Sequence, residues 1–285
     1  MPKYLADVHM HADYDEGRDR WHGERPKVMA KQIVEETRLN FVALTEHNMV
    51  SDSYFDLQEE IARLLEIQNT LAEVVREIDA ALGLELAVIF EKRRYHLGYV
   101  FADQFFRGQL PDVPPRLVDA KEIEHFREDY PGVAILNHPT WKDRSKREYE
   151  LTQEFMESGI VDGVEVMNGS IVHNGNGAQK VSRRSSELFI DALKNQKSNR
   201  KNGVKKKDQE HRPGTLAPIG SSDAHKARHV GNVATEYSGD DPSAFFEAVK
   251  SGRTVVRPIE EDVVIPRAKE IVRSVKHLNK HVSFS

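Results

Sequence analysis

An α/β fold built on a parallel sheet is what this sequence predicts. Short apolar runs alternate with longer helical patterns along the chain, an order that implies parallel strands joined by crossover helices. Histidines and acids recur where those runs end, and barrel and open α/β folds collect functional residues at the carboxyl ends of their strands. The 285 residues, 39% of them hydrophobic, suffice for one large core or two modest ones, and α/β barrels of roughly 250 residues form single domains.

Tyr4–His11 reads as the first strand, and Val28–Thr37 as a helix with Pro26 near its start, where a proline is tolerated. Phe41–Thr45 is a buried-type strand running into Glu46-His47. From Tyr54 to Leu82 apolar residues recur at helical spacing, and Gly83, a typical terminator, is expected to close that long helix. Leu84–Phe90 and Tyr95–Phe101 read as a strand pair turning through Glu91-Lys92-Arg93-Arg94. A helix around Ala120–Tyr130, the strand Val133–Asn137, a helix around Glu148–Ser158, the strand Gly163–Met167 and a helix near Ala178–Lys194 follow. Leu216–Gly220 leads into Ser221-Ser222-Asp223-Ala224-His225. Beyond it come the strand Val233–Tyr237, the helix Pro242–Ser251, the strand Thr254–Val256 and a last helix, Pro266–His277, expected to cap the outside. Asn195–Arg212 is polar and basic with almost no apolar residues, and reads either as a solvated loop or as an arm that draws in polyanionic substrate.

The net charge of −5, with acids and bases interspersed, lacks the overall basicity of a nucleic-acid binder. The absence of cysteine excludes disulfides, thiolate nucleophiles and sulfur-ligated zinc, so any metal sits among nitrogen and oxygen ligands, which suit Zn, Mn, Fe or Ni. No apolar stretch approaches the ~18–20 residues of a membrane span, and Asp7 and His9 interrupt the one apolar run near the start, so a cytoplasmic location without membrane contact is expected.

Two segments carry paired ligands at i and i+2: His9 and His11 in Asp7–His11, and Asp223 and His225 in Ser221–His225. Side chains two apart on a strand point the same way, so each pair can grip an ion from one rigid element. His47, Glu85, His96, His138 and Glu165 also fall at predicted strand ends. Six of the thirteen histidines therefore collect at strand termini, a pattern that favours one shared site for metal-assisted hydrolysis. There is no G-x-S-x-G elbow and no P-loop.

The ordered set DVHMH, ALTEHN, GLEL, HLGY, AILNHP, GVEV and GSSDAH, spanning Asp7 to about Arg257, resembles the polymerase and histidinol phosphatase (PHP) family. That resemblance implies a distorted TIM-like (β/α)7 barrel, with residues 1–285 forming one catalytic domain that bears an extra C-terminal helix and a basic loop insertion at about 195–212. It implies two or three divalent ions (Zn, Mn or Fe), up to a trinuclear centre. His9, His11, Glu85 and Asp223 would hold one ion. Glu85, bridging, with His96 and His138 would hold a second. His47, His225 and an acid from the loop after His11 would hold the third. That loop departs from the family's Ser-Asp-Gly: Glu16 aligns with the Asp, its longer side chain changes the reach, and Asp13 or Asp15 can substitute. Glu165 is expected to stand behind the ligands or on the substrate side, and Asp7 to orient a ligating imidazole.

The implied activity is hydrolysis of a small phosphomonoester, nucleotide-like or an amino-alcohol phosphate, by a metal-activated hydroxide. Asp223 and His225 are the candidates for guiding the water and the leaving-group proton. Lys142, Arg144, Lys226 and Arg228 follow ligand segments and are candidate phosphate contacts, as are the backbone amides near Gly175 and Gly177. His22, His173 and His229 are assigned nothing beyond substrate contact. The runner-up is a nuclease trimming short nucleic-acid ends, favoured by the basic run and opposed by the net charge. A metal-stabilised module without catalysis is the third reading. Oligomeric state is not legible.

Overall fold

The computed structural model describes residues 1–12, 14–15, 20–21, 25–47, 53–71, 76–102, 118–140, 145–170, 178–201 and 216–258. In chain order these form β1 (Lys3–Met10), β2 (Tyr14–Asp15), β3 (Arg20–Trp21), α1 (Pro26–Lys31), β4 (Phe41–His47), α2 (Ser53–Leu71), β5 (Asp79–Phe90), β6 (Arg93–Phe101), β7 (Val118–Asp119), α3 (Ala120–Asp129), β8 (Gly132–Asn137), α4 (Lys146–Met156), β9 (Gly163–Asn168), α5 (Ala178–Lys201), β10 (Ala217–Ser221), β11 (Val233–Ser238), α6 (Phe245–Lys250) and β12 (Thr254–Pro258).

Ten of the strands make one sheet in the order β10-β9-β8-β6-β5-β4-β1-β11-β12, with β7 pairing on β5. The sheet curls until β10 lies against β11 and β12. There the Thr254 hydroxyl donates to the Pro218 carbonyl at 2.7 Å, and Thr235 Oγ1 both accepts from Gly220 N and donates to Gly220 O at 2.9 Å. A parallel bridge between Met10 and Ala224 adds to the seam. The result is a nearly closed, TIM-like barrel with helices around it.

The sheet is mixed rather than parallel throughout. β1–β4–β5 and β8–β9–β10 run parallel, whereas β5–β6, β6–β8, β1–β11 and β11–β12 are antiparallel. The sequence predicts β5–β6 as a turning pair, but apolar runs specify burial and not strand direction, so alternation alone mistakes β6–β8, β1–β11 and β11–β12. β5 and β6 are joined by a two-residue turn in which Glu91 and Lys92 have φ of 47° and 64°. Positive φ at both central residues is the primed turn whose twist suits a tight hairpin.

Successive side chains on each strand face opposite ways, and the two faces feed two cores. Outward residues such as Leu82, Leu84, Leu86, Leu97 and Leu136 pack under the helices with Ile123, Phe155 and Phe189. Inward residues Ala6, Val8, Phe41, Ala43, Val100 and Ile135 fill one end of the barrel, where Phe245 and Phe246 of α6 stack on Phe41 at ring distances of 4.8 and 5.6 Å. Burying each such phenylalanine contributes about 1.5–3 kcal/mol.

The helix expected to run to Leu82 ends at Leu71, and β5 begins at Asp79. Short apolar runs fit either period, which is why Ile78 and Leu82 read as helical. Gly83 is no terminator but an interior strand residue, where a Cβ would come within 2.6 Å of Thr45 Cγ2 on β4. The helix expected over Val28–Thr37 is α1 followed by a π-turn at Gln32–Glu36. Its carbonyls at Ile33 and Val34, and that of Leu39, accept from the Arg76 guanidinium. α5 continues to Lys201, into the segment read as a polar loop: Lys, Gln and Arg are good helix formers, and extending an existing helix needs no new nucleus. α4 starts on a reciprocal cap, Ser145 Oγ accepting from Glu148 N and Glu148 Oε2 accepting from Ser145 N. The helix expected over Pro266–His277 and most of the basic segment lie outside the described residues. Among the described residues, no helix is long and apolar enough to cross a membrane.

Candidate metal centre

At the end of the barrel opposite α6, the inward column changes from apolar to ligating. β4 passes from Phe41 and Ala43 to Thr45 and His47, β5 from Ala81 to Glu85, β6 from Val100 to His96, and β8 from Val133 and Ile135 to Asn137. Glu85, buried, is the hub. Its Oε1 lies 3.3 Å from His9 Nε2, 3.4 Å from His96 Nδ1 and 3.2 Å from His138 Nε2, and its Oε2 lies 3.2 Å from His47 Nε2. Asp223 Oδ1 forms a second hub, 3.6 Å from His9 Nε2, 3.4 Å from His11 Nε2 and 3.7 Å from His225 Nδ1.

Those spacings fit shared cations. Two ligand atoms about 2.0–2.2 Å from one tetrahedral ion stand about 3.3–3.6 Å apart. A direct hydrogen bond prefers about 2.9–3.0 Å. His96 Nδ1 is buried and makes no hydrogen bond, as a nitrogen reserved for an ion would be. Three ligand triads have their donor atoms within 4.8 Å of one another: His9, Glu85 and His138; His9, His11 and Asp223; and His11, His47 and His225. The sequence places His11 with the first ion only, yet the structure also stacks its ring on that of His47, centroids 4.2 Å apart and planes within 8°. His138 and Asp223 have φ of 29° and 49°, left-handed values that cost a non-glycine residue energy and turn each strand end toward the cluster.

Electrostatics follow from burial and crowding. Burial opposes a charged His9, but Asp223, Glu165 and Glu85 outweigh it and raise the imidazole pKa well above its ordinary value. Burial pushes His11 down to about 4, so it is neutral at pH 7. Burial also opposes charge on Glu85 and Asp223, but His9 and its neighbouring imidazoles hold both carboxyls well below the usual carboxylate range. Ionised carboxylates and a neutral imidazole are the forms that coordinate.

Glu165 does not line the cleft: it is 1% exposed and its oxygens are engaged internally. Oε1 takes His9 Nδ1 at 3.0 Å and the Ser221 hydroxyl, and Oε2 takes the backbone N–H of His138 at 2.7 Å and Asn168 Nδ2 at 3.0 Å. A substrate contact by Glu165 is thereby replaced by contacts that orient His9. Asp7, expected in that orienting place, instead accepts from the backbone of Ser222 at 3.0 Å and Gly231 at 2.9 Å, tying β1 to the Ser221–His225 segment. Burial raises the Asp7 pKa to about 6, those hydrogen bonds pulling the other way. Glu46 Oε1 accepts from Ala12 N at 2.7 Å, at the exit of β1.

Two amides escape the sequence reading. Asn137 Nδ2 donates to Glu85 Oε1 at 2.9 Å, in space left by Gly98, whose Cβ would come within 2.9 Å of Asn137 Oδ1. Asn168 Nδ2 also donates to Asp223 Oδ2 at 3.1 Å. Their place at the ends of ligand-bearing strands is the one signal that points to them. Arg228 is exposed on the turn Ala227–His229, its Nε directed at His229 Nε2 at 3.2 Å, and does not line the cleft. Glu16, Lys142, Arg144, Gly175, Gly177, His22 and His173 lie outside the described residues.

A family model described as PHP-associated matches residues 214–254, the stretch that holds Asp223 and His225. No curated protein matches the chain in sequence. A two-domain Bacteroides vulgatus protein containing a predicted PHP-like metal-dependent phosphoesterase superposes with a TM-score of 0.55 at 16% identity over 90% of this chain, which spans 65% of that protein's length. PsfC from Pseudomonas syringae gives 0.52 at 17% identity, covering 98% of this chain and 99% of its own. A Bifidobacterium adolescentis protein described as a metal-dependent phosphoesterase gives 0.50 at 14% identity, over 86% of this chain and 96% of its own. At these identities the likeness is one of fold.

Proposed function

We propose that this chain, a PHP-type protein by its barrel and by the matching segment at residues 214–254, is a metal-dependent phosphoesterase that hydrolyses a small phosphomonoester. The observation that carries the reading is Glu85, one buried carboxylate reaching His9, His96 and His138 through one oxygen and His47 through the other. A carboxylate so shared is what a bridged multinuclear centre requires.

In this reading His9, His11, Glu85 and Asp223 would hold one ion, and Glu85, His96 and His138 a second. His47 and His225 would hold a third, with an acid from the loop after His11. Zn, Mn and Fe all suit this donor set. When bound, such ions supply Lewis acidity toward a phosphoryl oxygen and make water a competent nucleophile near neutral pH.

The chain's own residues do the rest. Glu165 accepts from His9 Nδ1, the arrangement by which a carboxylate orients an imidazole whose Nε2 would face an ion once that nitrogen's proton is displaced. Asn137 and Asn168 hold the Glu85 and Asp223 carboxylates in place. His225 lines the cleft with Nδ1 directed at the Asp223 carbonyl at 3.2 Å. In this reading Asp223 and His225 steer the attacking water and pass a proton to the departing alcohol. The partner is a small phosphorylated molecule, nucleotide-like or an amino-alcohol phosphate.

The test is elemental analysis of purified protein, followed by a panel of phosphomonoesters, nucleotides and short oligonucleotides assayed with Mn, Zn, Fe and Mg in turn. Two to three equivalents of transition metal and monoester turnover that chelation abolishes are expected. Turnover confined to oligonucleotides would replace the reading with a nuclease. A fully metallated but inert protein would remove catalysis altogether.

A further inference from the structure

The mouth of the metal cleft carries cations that the mechanism above does not use. A cavity of about 720 Å³ has His47, Glu85, His96, His138, Asp223 and His225 at its base and the β5–β6 turn at its rim. On β6 the side chains of Val100, His96 and Arg94 fall on one face, with Gly98 between Val100 and His96, by the period of two that brings His96 to Glu85. Arg94 is the next step outward on that face, paired across the hairpin with Ile89. Two residues of antiparallel strand span about 6.8 Å, so its backbone stands about that far beyond His96.

Two of the neighbouring charges, Arg93 and Glu148, are already engaged. Arg93 Nη1 donates to the Glu148 carbonyl at 2.9 Å, and its guanidinium lies 5.1 Å from the centre of the Tyr95 ring. Glu148 also lines the cavity, but its carboxylate accepts from Ser145 N at the start of α4. Glu91 sits at the tip with Lys92. Arg94 and Lys92 are exposed, and neither side chain has an ion pair or hydrogen bond among the described residues. Strand pairing and a tight primed turn fix the backbone that carries them, so little ordering remains to be done when an anion arrives. The planar guanidinium matches carboxylate and phosphate oxygens in pairs.

We infer that Arg94, assisted by Lys92, forms a subsite for a second anionic group on the substrate. The preferred substrate is then a phosphomonoester whose alcohol part carries a carboxylate or phosphate about 7 Å from the scissile phosphorus. This rests on the phosphoesterase reading and narrows its substrate class.

The test compares 4-carboxyphenyl phosphate with its methyl ester, which places a carboxylate or a neutral group at that distance from phosphorus. The metal-loaded protein should favour the carboxylate, chiefly through KM. R94Q should cut the ratio of the two kcat/KM values about tenfold, as loss of a charge-assisted hydrogen bond does. R94K should retain part of the preference. Equal ratios in wild type and R94Q would overturn the subsite while leaving the phosphoesterase reading standing. No turnover of either ester by metal-loaded wild type would remove the phosphoesterase reading instead. Calorimetric titration of the non-hydrolysable 4-carboxyphenyl phosphonate then decides the subsite alone: weaker binding to R94Q supports it, and equal binding overturns it.

Discussion

The two ends of the barrel are built from the same strands and obey opposite rules. At the α6 end the inward positions are Ala6, Val8, Phe41, Ala43, Val133 and Ala217, packed dry against Phe245 and Phe246. At the other end the same columns present His9, His47, Glu85, His96, Asn137 and Glu165, each within reach of several polar partners. One end gains stability from burying carbon. The other buries charge, which is tolerated only because carboxylates, imidazoles and amides answer one another atom by atom. The difference shows how a single strand set divides labour: packing at one end holds the strand ends of the other in register.

That division can be broken deliberately. Phe245→Ala, at the apolar end, should cost about 3–5 kcal/mol in chemical denaturation while bound metal, measured per folded protein, stays unchanged. Loss of metal in that variant would mean that the ends are not separable. At the polar end, Glu85→Gln should lower turnover more than about a hundredfold and reduce the metal retained after dialysis, since even a partner that merely orients a ligand costs 10–100-fold. Glu165→Gln keeps shape but loses the charge behind His9, so its metal affinity should fall roughly 10–100-fold in a competitive chelator titration. If affinity does not move, Glu165 serves packing alone.

The smallest effect lies on the barrel's outer rim. There Glu236 accepts from Lys3 at 2.9 Å and from Arg257 at 3.0 and 3.1 Å. Burial favours the protonated acid, but Arg257 and Lys3 outweigh it and lower the folded-state pKa. The contribution is therefore present above the ordinary glutamate pKa and is lost as pH falls through the lowered folded value. These partners are largely exposed, so about 0.5–1 kcal/mol is expected. Thermal melts of Glu236→Gln and wild type should differ at pH 7 and converge in acid.

The ligating end is the more legible of the two in the sequence, because chemistry restricts residue type more than packing does. His9, His11, His47, Glu85, His96, His138, Asp223 and His225 announce themselves by falling at the ends of apolar runs, and the structure brings them together. Strand direction is not written there, since an apolar run buries equally well parallel or antiparallel. The β5–β6 hairpin is legible as a strand pair turning through Glu91–Arg94, but the tightness of its two-residue turn is not, because Glu91-Lys92 lacks the Asn-Gly signature of that turn type. Asn137 and Asn168 leave only their strand-end position as a signal, because what an amide does there depends on atoms brought from distant strands. Glu165 is legible as a residue, but its burial, which decides what it can touch, is a property of the assembled barrel.

Glu85 and His96 occupy the two arms of one hairpin, and the tip between them lies outside the ion cluster. Cross-strand bonding below the tip therefore insulates the reaction from whatever is written at the bend. If the proposed phosphoesterase reading holds, grafting a different bend onto these arms is an engineering route to a new selectivity, because it alters the rim of the cleft without touching the residues at its base.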